Sequence, residues 1–160
     1  MIRQIDCSGL IPAAEVVRAS FATVAAEFGL TKDNFPTYTG FVTTAERLQE
    51  HLSRGWLMFG YYADGRLAGY VSLSRETEAA YELHNLAVLP EYRHLGYGGR
   101  LLDFCKEKVK ELGGSKIVIG ITEENTVLKN WYSRHGFIHT GARKFEHMPV
   151  TAGFMEFYIA

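Results

Sequence analysis

Between Arg93 and Arg100 the chain reads RHLGYGGR, with Gly96, Gly98 and Gly99 falling inside four residues. An apolar run precedes this stretch and a helical pattern follows it. Glycine costs entropy when ordered and weakens a helix, so its concentration at a helix start needs a reason. The first turn of a helix exposes unpaired backbone N–H groups, and the aligned peptide dipoles add roughly half an elementary charge there. Residues without side chains let a phosphate come close to that end. Gly96, Gly98 and Gly99 suit this role, with Arg93 and Arg100 supplying formal charge. A tight strand-to-helix turn with no ligand is the alternative. The pattern G-x-x-x-x-G-K-[ST] is absent, and G-x-G-x-x-G fails because Leu101 stands where its third glycine is due. What remains is R-x-x-G-x-G.

Upstream, Ala79 to Leu89 reads as one long strand. Alternation places Glu82, His84, Leu86 and Val88 on one side, and Leu83, Asn85 and Ala87 on the other. Two titratable groups two residues apart can then face one cleft and move a proton there; a satisfied polar pair supporting the sheet is the alternative. His135 and His139 stand at a zinc-like spacing, but Gly136 breaks the helix between them and no other ligand pair supports it, so no metal is expected. No G-x-S-x-G stretch occurs, which argues against hydrolase chemistry of that kind.

These residues need elements to hold them. Ile2 to Ile5 alternates like a short strand, and Pro12 to Phe28 is a helix with Gly29 at its end. A loop with aromatics follows, then a short helix capped by Thr43 or Thr44. Asp64-Gly65 joins two strands as a hairpin. After the glycine loop, Leu101, Cys105, Val109 and Leu112 make one face of a helix from about Gly98 to Leu112. KIVIGI is a buried strand, ENTVLKNWYSRHG a helix, and FIHTGARKFEH and FMEFYIA close the sheet. The order β, α, α, β, β, β, α, β, α, β, β implies an α/β fold: a mixed, mostly antiparallel sheet with helices on both faces and one right-handed parallel crossover between Ala79 and Ile121.

The 160 residues suit one domain, 1–160. Lys plus Arg number 17 and Asp plus Glu 18, so nothing suggests a nucleic-acid partner. The apolar runs look shorter than the roughly 20 residues of a membrane span, the polar start MIRQID is unlike a signal peptide, and Cys7 and Cys105 form no framework. No membrane association and a reducing cytoplasm are expected; dimerisation is left open.

The stretch LHNLAVLPEYRHLGYGGRLL closely resembles the acetyl-CoA signature of the GNAT N-acetyltransferase superfamily. A second piece, NTVLKNWYSRHGF, resembles the family's later helix, with Asn125 at its start and Tyr132 four residues before Gly-Phe. The order of elements agrees over nearly the whole chain. One departure is His94-Leu95, where many members carry glycine after the arginine.

The resemblance implies the GNAT acyl-CoA N-acyltransferase fold, in which the strand carrying Leu86, Ala87 and Val88 splays from its parallel neighbour. Acetyl-CoA would be the cosubstrate. Its pantetheine would pair with the strand edge, and its pyrophosphate would rest on the N–H groups of Leu95, Gly96, Tyr97, Gly98 and Gly99, beside Arg93, His94 and Arg100. Asn125 would bond a pantetheine amide or serve only as a helix cap, and Lys129 would reach the phosphates or do nothing specific. Tyr132 would protonate the departing thiolate, a phenol of pKa about 10 serving a thiol of about 8.5 with a small uphill step, or be a core aromatic. Glu82 would take the amine proton, directly or through water, and His84 would orient that water or relay the proton. The acceptor pocket would draw on Phe35, Tyr38, Phe41, Phe145, His147 and Phe154, an aromatic mouth for a small-molecule or peptide amine, unless these rings only pack a loop. The rival readings are a non-catalytic acyl-CoA-binding or sensing module and a plain nucleotide-binding protein.

Overall fold

The computed structural model describes residues 1–160. Strand β1 (Ile2–Gln4) and a single 3-10 turn lead into helix α1 (Leu10–Phe28). Gly29 ends α1 in the left-handed region at φ 65°, its N–H returning to the Ala25 carbonyl. Within the aromatic loop, Thr39–Val42 form a short helix α2 where the sequence pattern implies only a loop. Helix α3 (Ala45–Ser53) starts at Thr44, whose hydroxyl accepts from the Arg47 N–H at 3.2 Å.

Strands β2 (Leu57–Ala63) and β3 (Arg66–Arg75) meet at Asp64 and Gly65, whose φ values of 52° and 77° are those of a primed hairpin turn. Strand β4 (Ala80–Val88), helix α4 (Tyr97–Glu111) and strand β5 (Lys116–Thr122) make the parallel crossover. Helix α5 (Thr126–Arg134) and strands β6 (Ile138–Lys144) and β7 (Thr151–Tyr158) follow. One seven-stranded sheet runs β1-β2-β3-β4-β5-β7-β6, antiparallel throughout except for β4 and β5.

Each sheet face buries its own core. On one, Leu101, Leu102, Cys105 and Val109 of α4 and Tyr132 of α5 pack against Phe59, Val71, Leu73, Leu83, Ile117 and Ile119. On the other, Val16 and Val17 of α1 and Leu48 of α3 cover Met58, Leu67, Tyr70, Ala87 and Leu89. The stretch Cys7–Phe28 is, against the sequence expectation, long and apolar enough to cross a membrane by length and composition. Its Leu10, Ala13, Ala14, Val16 and Val17 supply five of the twelve buried residues of the second core. Leu101→Ala removes a side chain with no exposure from the α4 core. It is expected to cost about 3 kcal/mol, read as a lower urea midpoint at unchanged slope.

Strand β4 does not alternate along its whole length. Ser72 pairs with His84 and Tyr70 with Ala87, so two steps on β3 span three on β4. The extra residue is a β-bulge at Asn85, held at φ 53°. A bulge reverses the parity of every side chain beyond it. Glu82 and His84 therefore share a face with Ala87 and Leu89, towards α1 and α3. Leu86 and Val88 lie on the α4 side with Leu83. The expectation that Glu82, His84, Leu86 and Val88 line one side is overturned by that single residue.

Candidate active site

Strands β4 and β5 pair only from Ala80–Glu82 to Lys116–Val118 and then part. The gap opens into a cleft of about 720 Å³. Leu83, Leu86 and Val88 line one wall and Ile119–Thr122 the other. The glycine loop stands at one end; α5 contributes Asn125, Trp131 and Tyr132. A parted strand leaves backbone donors and acceptors unpaired at its edge, which an extended ligand with amide groups can satisfy.

The loop geometry explains its glycines. After a 3-10 turn at Pro90–Tyr92, His94 and Gly96 both take positive φ, 63° and 85°. Gly96 caps α4 without any side-chain hydrogen bond, so the first N–H groups of that helix have no side chain competing for them. A Cβ on Gly98 would meet Trp131 at 3.6 Å and Val88 at 3.8 Å, and one on Gly99 would meet His135 at 3.2 Å. The residues therefore fit an anionic group seated on backbone donors.

The charged side chains are otherwise engaged. The Arg93 guanidinium donates to the Ser20 carbonyl and hydroxyl at 3.0 and 3.2 Å and to the Val88 carbonyl at 3.3 Å, tying the loop to α1. Arg100 donates to the Tyr61 hydroxyl at 2.6 Å, and Lys129 is ion-paired with Glu123; neither lines the cleft. Leu95 is exposed and Ala87 is buried on the opposite face, so these also lie outside it. His94, Gly96, Tyr97, Gly98, Gly99 and Asn125 do line it. Asn125 caps α5, its side-chain oxygen accepting from the Leu128 N–H at 3.1 Å.

Tyr132 lies on the cleft floor, 5% exposed, edge-on to Trp131 and Phe137. Burial, and secondarily the neighbouring Cys105, raises its pKa above the ordinary phenol value. The Cys105 thiol is itself pushed up to about 12 by burial and is no nucleophile.

Glu82 and His84 stand in contact, Oε2 to Nδ1 at 3.1 Å, but do not line this cleft. His84 is stacked on Trp56 at 4.1 Å, and Trp56 on His51 at 3.8 Å. Burial, then the charge of His51, lowers His84 to about 4. Burial, then the nearby Glu76, raises Glu82. The glutamate thus binds a proton more readily than usual and the histidine less readily.

At the acceptor end Phe35 and Tyr38 line the cleft, and Phe41 packs on Tyr38 behind them. Phe145 and His147 lie against each other beyond β6, and Phe154 is exposed on β7; these three lie outside the cleft. Met148 and Ala152 take their place. Structure adds Glu27, Thr37, Thr39 and Asn85, which sequence reasoning missed. Asn85 accepts from the Thr39 hydroxyl at 2.9 Å across 46 positions, a pairing that no local pattern announces. His135 and His139 do not converge: one lies against Trp131 with the rings tilted at 43°, the other bonds Glu123 at 2.8 Å.

Residues 25–137 match the acetyltransferase (GNAT) family. An uncharacterised N-acetyltransferase of Mycobacterium tuberculosis is 29% identical over 82 residues, 51% of this chain and 53% of the relative, so the chain spans about half the length of that curated relative. An uncharacterised N-acetyltransferase of Lactobacillus delbrueckii subsp. lactis is 27% identical over 148 residues, covering 85% of this chain and 82% of the relative. The fold is shared with the PaiA N-acetyltransferase of Thermoplasma acidophilum, solved in complex with coenzyme A, at a TM-score of 0.82 and 23% identity over 99% of this chain and 98% of that one. With the family match running through the parted strands, the glycine loop and the helix carrying Tyr132, the chain belongs to the GNAT acetyltransferase family.

Proposed function

We propose that this protein is an acetyl-CoA-dependent N-acetyltransferase acting on a primary amine of a small molecule or peptide. The observation that carries this reading is the parting of β4 from β5 beside an uncapped glycine-rich helix start, with Tyr132 on the floor between. Acetyl-CoA supplies an activated acyl carbon and a thiolate leaving group. The edge groups of Leu86 to Val88 take its amides and the first N–H groups of α4 its pyrophosphate. Arg93 acts by holding that loop in shape. Tyr132 keeps a proton at its hydroxyl for the departing sulfur. The same desolvation that raises the phenol raises a thiolate in the cleft, so the small gap between them is preserved.

A Lys-like amine has an ordinary pKa of about 10.4 and must shed a proton before attack. Among the residues lining the cleft, Glu27 is the one carboxylate and His94 the one imidazole. Glu82, outside the cleft on the α1 and α3 side of the sheet, is assigned the proton, taken through water, because burial raises its affinity for one and His84 stands in contact with it. The Glu82 side chain is 38% exposed, so water reaches it. The acceptor end joins Phe35, Tyr38 and Met148 to Thr37, Thr39 and Glu27, which suits an amine with an apolar body. Cys7 is exposed and Cys105 buried, both free, which supports a reducing cytoplasmic setting.

The test is release of free CoA thiol from acetyl-CoA across a panel of amines, amino acids and aminoglycosides. Amine-dependent release supports the reading; tight binding without release under every acceptor makes the protein an acyl-CoA-binding module. Gly98→Val places branched carbons between Val88 and Trp131, where the backbone has no need of a positive φ. Acetyl-CoA affinity is expected to fall by roughly tenfold or more, by calorimetry, with Tm little changed.

A further inference from the structure

The Glu82–His84 pair belongs to a longer chain of contacts. His84 Nε2 lies 2.7 Å from Ser74 Oγ, and Ser74 donates its hydroxyl proton to Glu76 Oε1 at 2.7 Å. With the 3.1 Å contact from His84 Nδ1 to Glu82 Oε2, four side chains make three links. Each link needs one proton. A neutral imidazole supplies one, a serine hydroxyl one, and ionised carboxylates none. The chain is one proton short.

Where the missing proton goes follows from the far end. Glu76 is exposed, so water stabilises its charge, and it takes the only hydrogen Ser74 has. Ser74 must then accept from Nε2–H. Nδ1 faces Glu82 with no hydrogen of its own unless a further proton sits between them. We propose that Ser74 and Glu76 are positioning residues that fix the Nε2–H tautomer of His84 and so lodge one extra proton in the Glu82–His84 contact. As a statement about catalysis this rests on the assignment of Glu82 and His84 to amine deprotonation.

Packing keeps the arrangement from dissolving by ring rotation, because the imidazole lies flat on Trp56 at 16°. Burial disfavours an imidazolium and favours a neutral Glu82 carboxyl, so the proton sits nearer the glutamate. Other charged groups facing the chain are few. His51 lies across Trp56, with Arg47, Glu50 and Arg54 around it on and after α3. Arg75 turns away to the carbonyls of Thr77 and Glu78, and Lys116 on β5 is paired with Glu156. The resting pair is therefore in its acid form. It accepts an amine proton only after losing the one it holds, and Glu76 delays that loss to higher pH.

Glu76→Gln tests this. The new amide can donate to Ser74 Oγ, freeing Ser74 to donate to Nε2 and leaving Nδ1–H for an ionised Glu82. All three links are then satisfied without an extra proton. Ring-nitrogen NMR of the full chain at neutral pH should show His84 as Nε2–H in the native protein and as Nδ1–H in the variant. Ser74→Ala cuts the chain and should give the same change. The acidic limb of the kcat/KM profile should move down by about one pH unit or more in Glu76→Gln, as expected for groups that titrate as a pair, with the KM for acetyl-CoA unchanged. An Nδ1–H native tautomer, or Nε2–H retained in both variants, overturns the inference. A tautomer change with an unmoved pH profile supports the proton count and removes Glu82 and His84 from the reaction instead.

Discussion

Tyr132→Phe is expected to lower kcat by roughly 10- to 100-fold while leaving acetyl-CoA affinity unchanged, the effect of losing a positioned proton donor. The substitution deletes one oxygen and keeps the ring, which packs edge-on between Trp131 and Phe137. Cleft shape and stability are thereby preserved, and the change isolates the proton. Single-turnover rates and calorimetry separate the two quantities. Burial holds the phenol protonated above its ordinary value, so the native protein should show no alkaline limb from this residue below about pH 10. Equal kcat in the two proteins would leave Tyr132 a core aromatic and require the thiolate to depart unprotonated.

The second large effect is expected at Glu82. Glu82→Gln should reduce kcat/KM by roughly 100-fold or more, the usual scale for removing a general base, and by more than His84→Gln. A raised carboxyl pKa means that the base form is lost as pH falls through that raised value, so native activity climbs with pH across the acidic limb. In Glu82→Gln the limb should flatten; in His84→Gln it should persist and shift. Greater damage from His84→Gln, with the limb abolished, reverses the assignment. An unaltered limb in both means that the base is elsewhere or that the amine arrives neutral.

Much of the frame was legible because its causes are local. Asp64-Gly65 takes a primed turn since both residues tolerate positive φ, and Gly29 ends α1 for the same reason. Gly96, Gly98 and Gly99 announced a helix start built for close approach, and Thr44 and Asn125 cap their helices through hydroxyl and amide oxygens a few residues from their donors. The aromatic mouth was legible only in part. Phe35 and Tyr38 lie on the cleft because α1 and α2 fold over it, whereas Phe145 and His147 follow a strand whose turn carries them off.

The residue types that the proposed acetyl transfer needs, their order and the glycine loop before α4 were determined by the sequence alone, since each depends on neighbours within a turn or two. Which way those residues face was decided by the tertiary structure. Asn85 sits in the left-handed region with its side chain held by Thr39, and that one bulge turns Leu86 and Val88 towards α4 while Glu82 and His84 face α1. Ser74 and Glu76 enter the proton chain only because β3 lies beside β4 in this register. A period-two reading assumes an unbroken ladder, and the residue that breaks it here is held by a hydrogen bond from Thr39, 46 positions away in the chain.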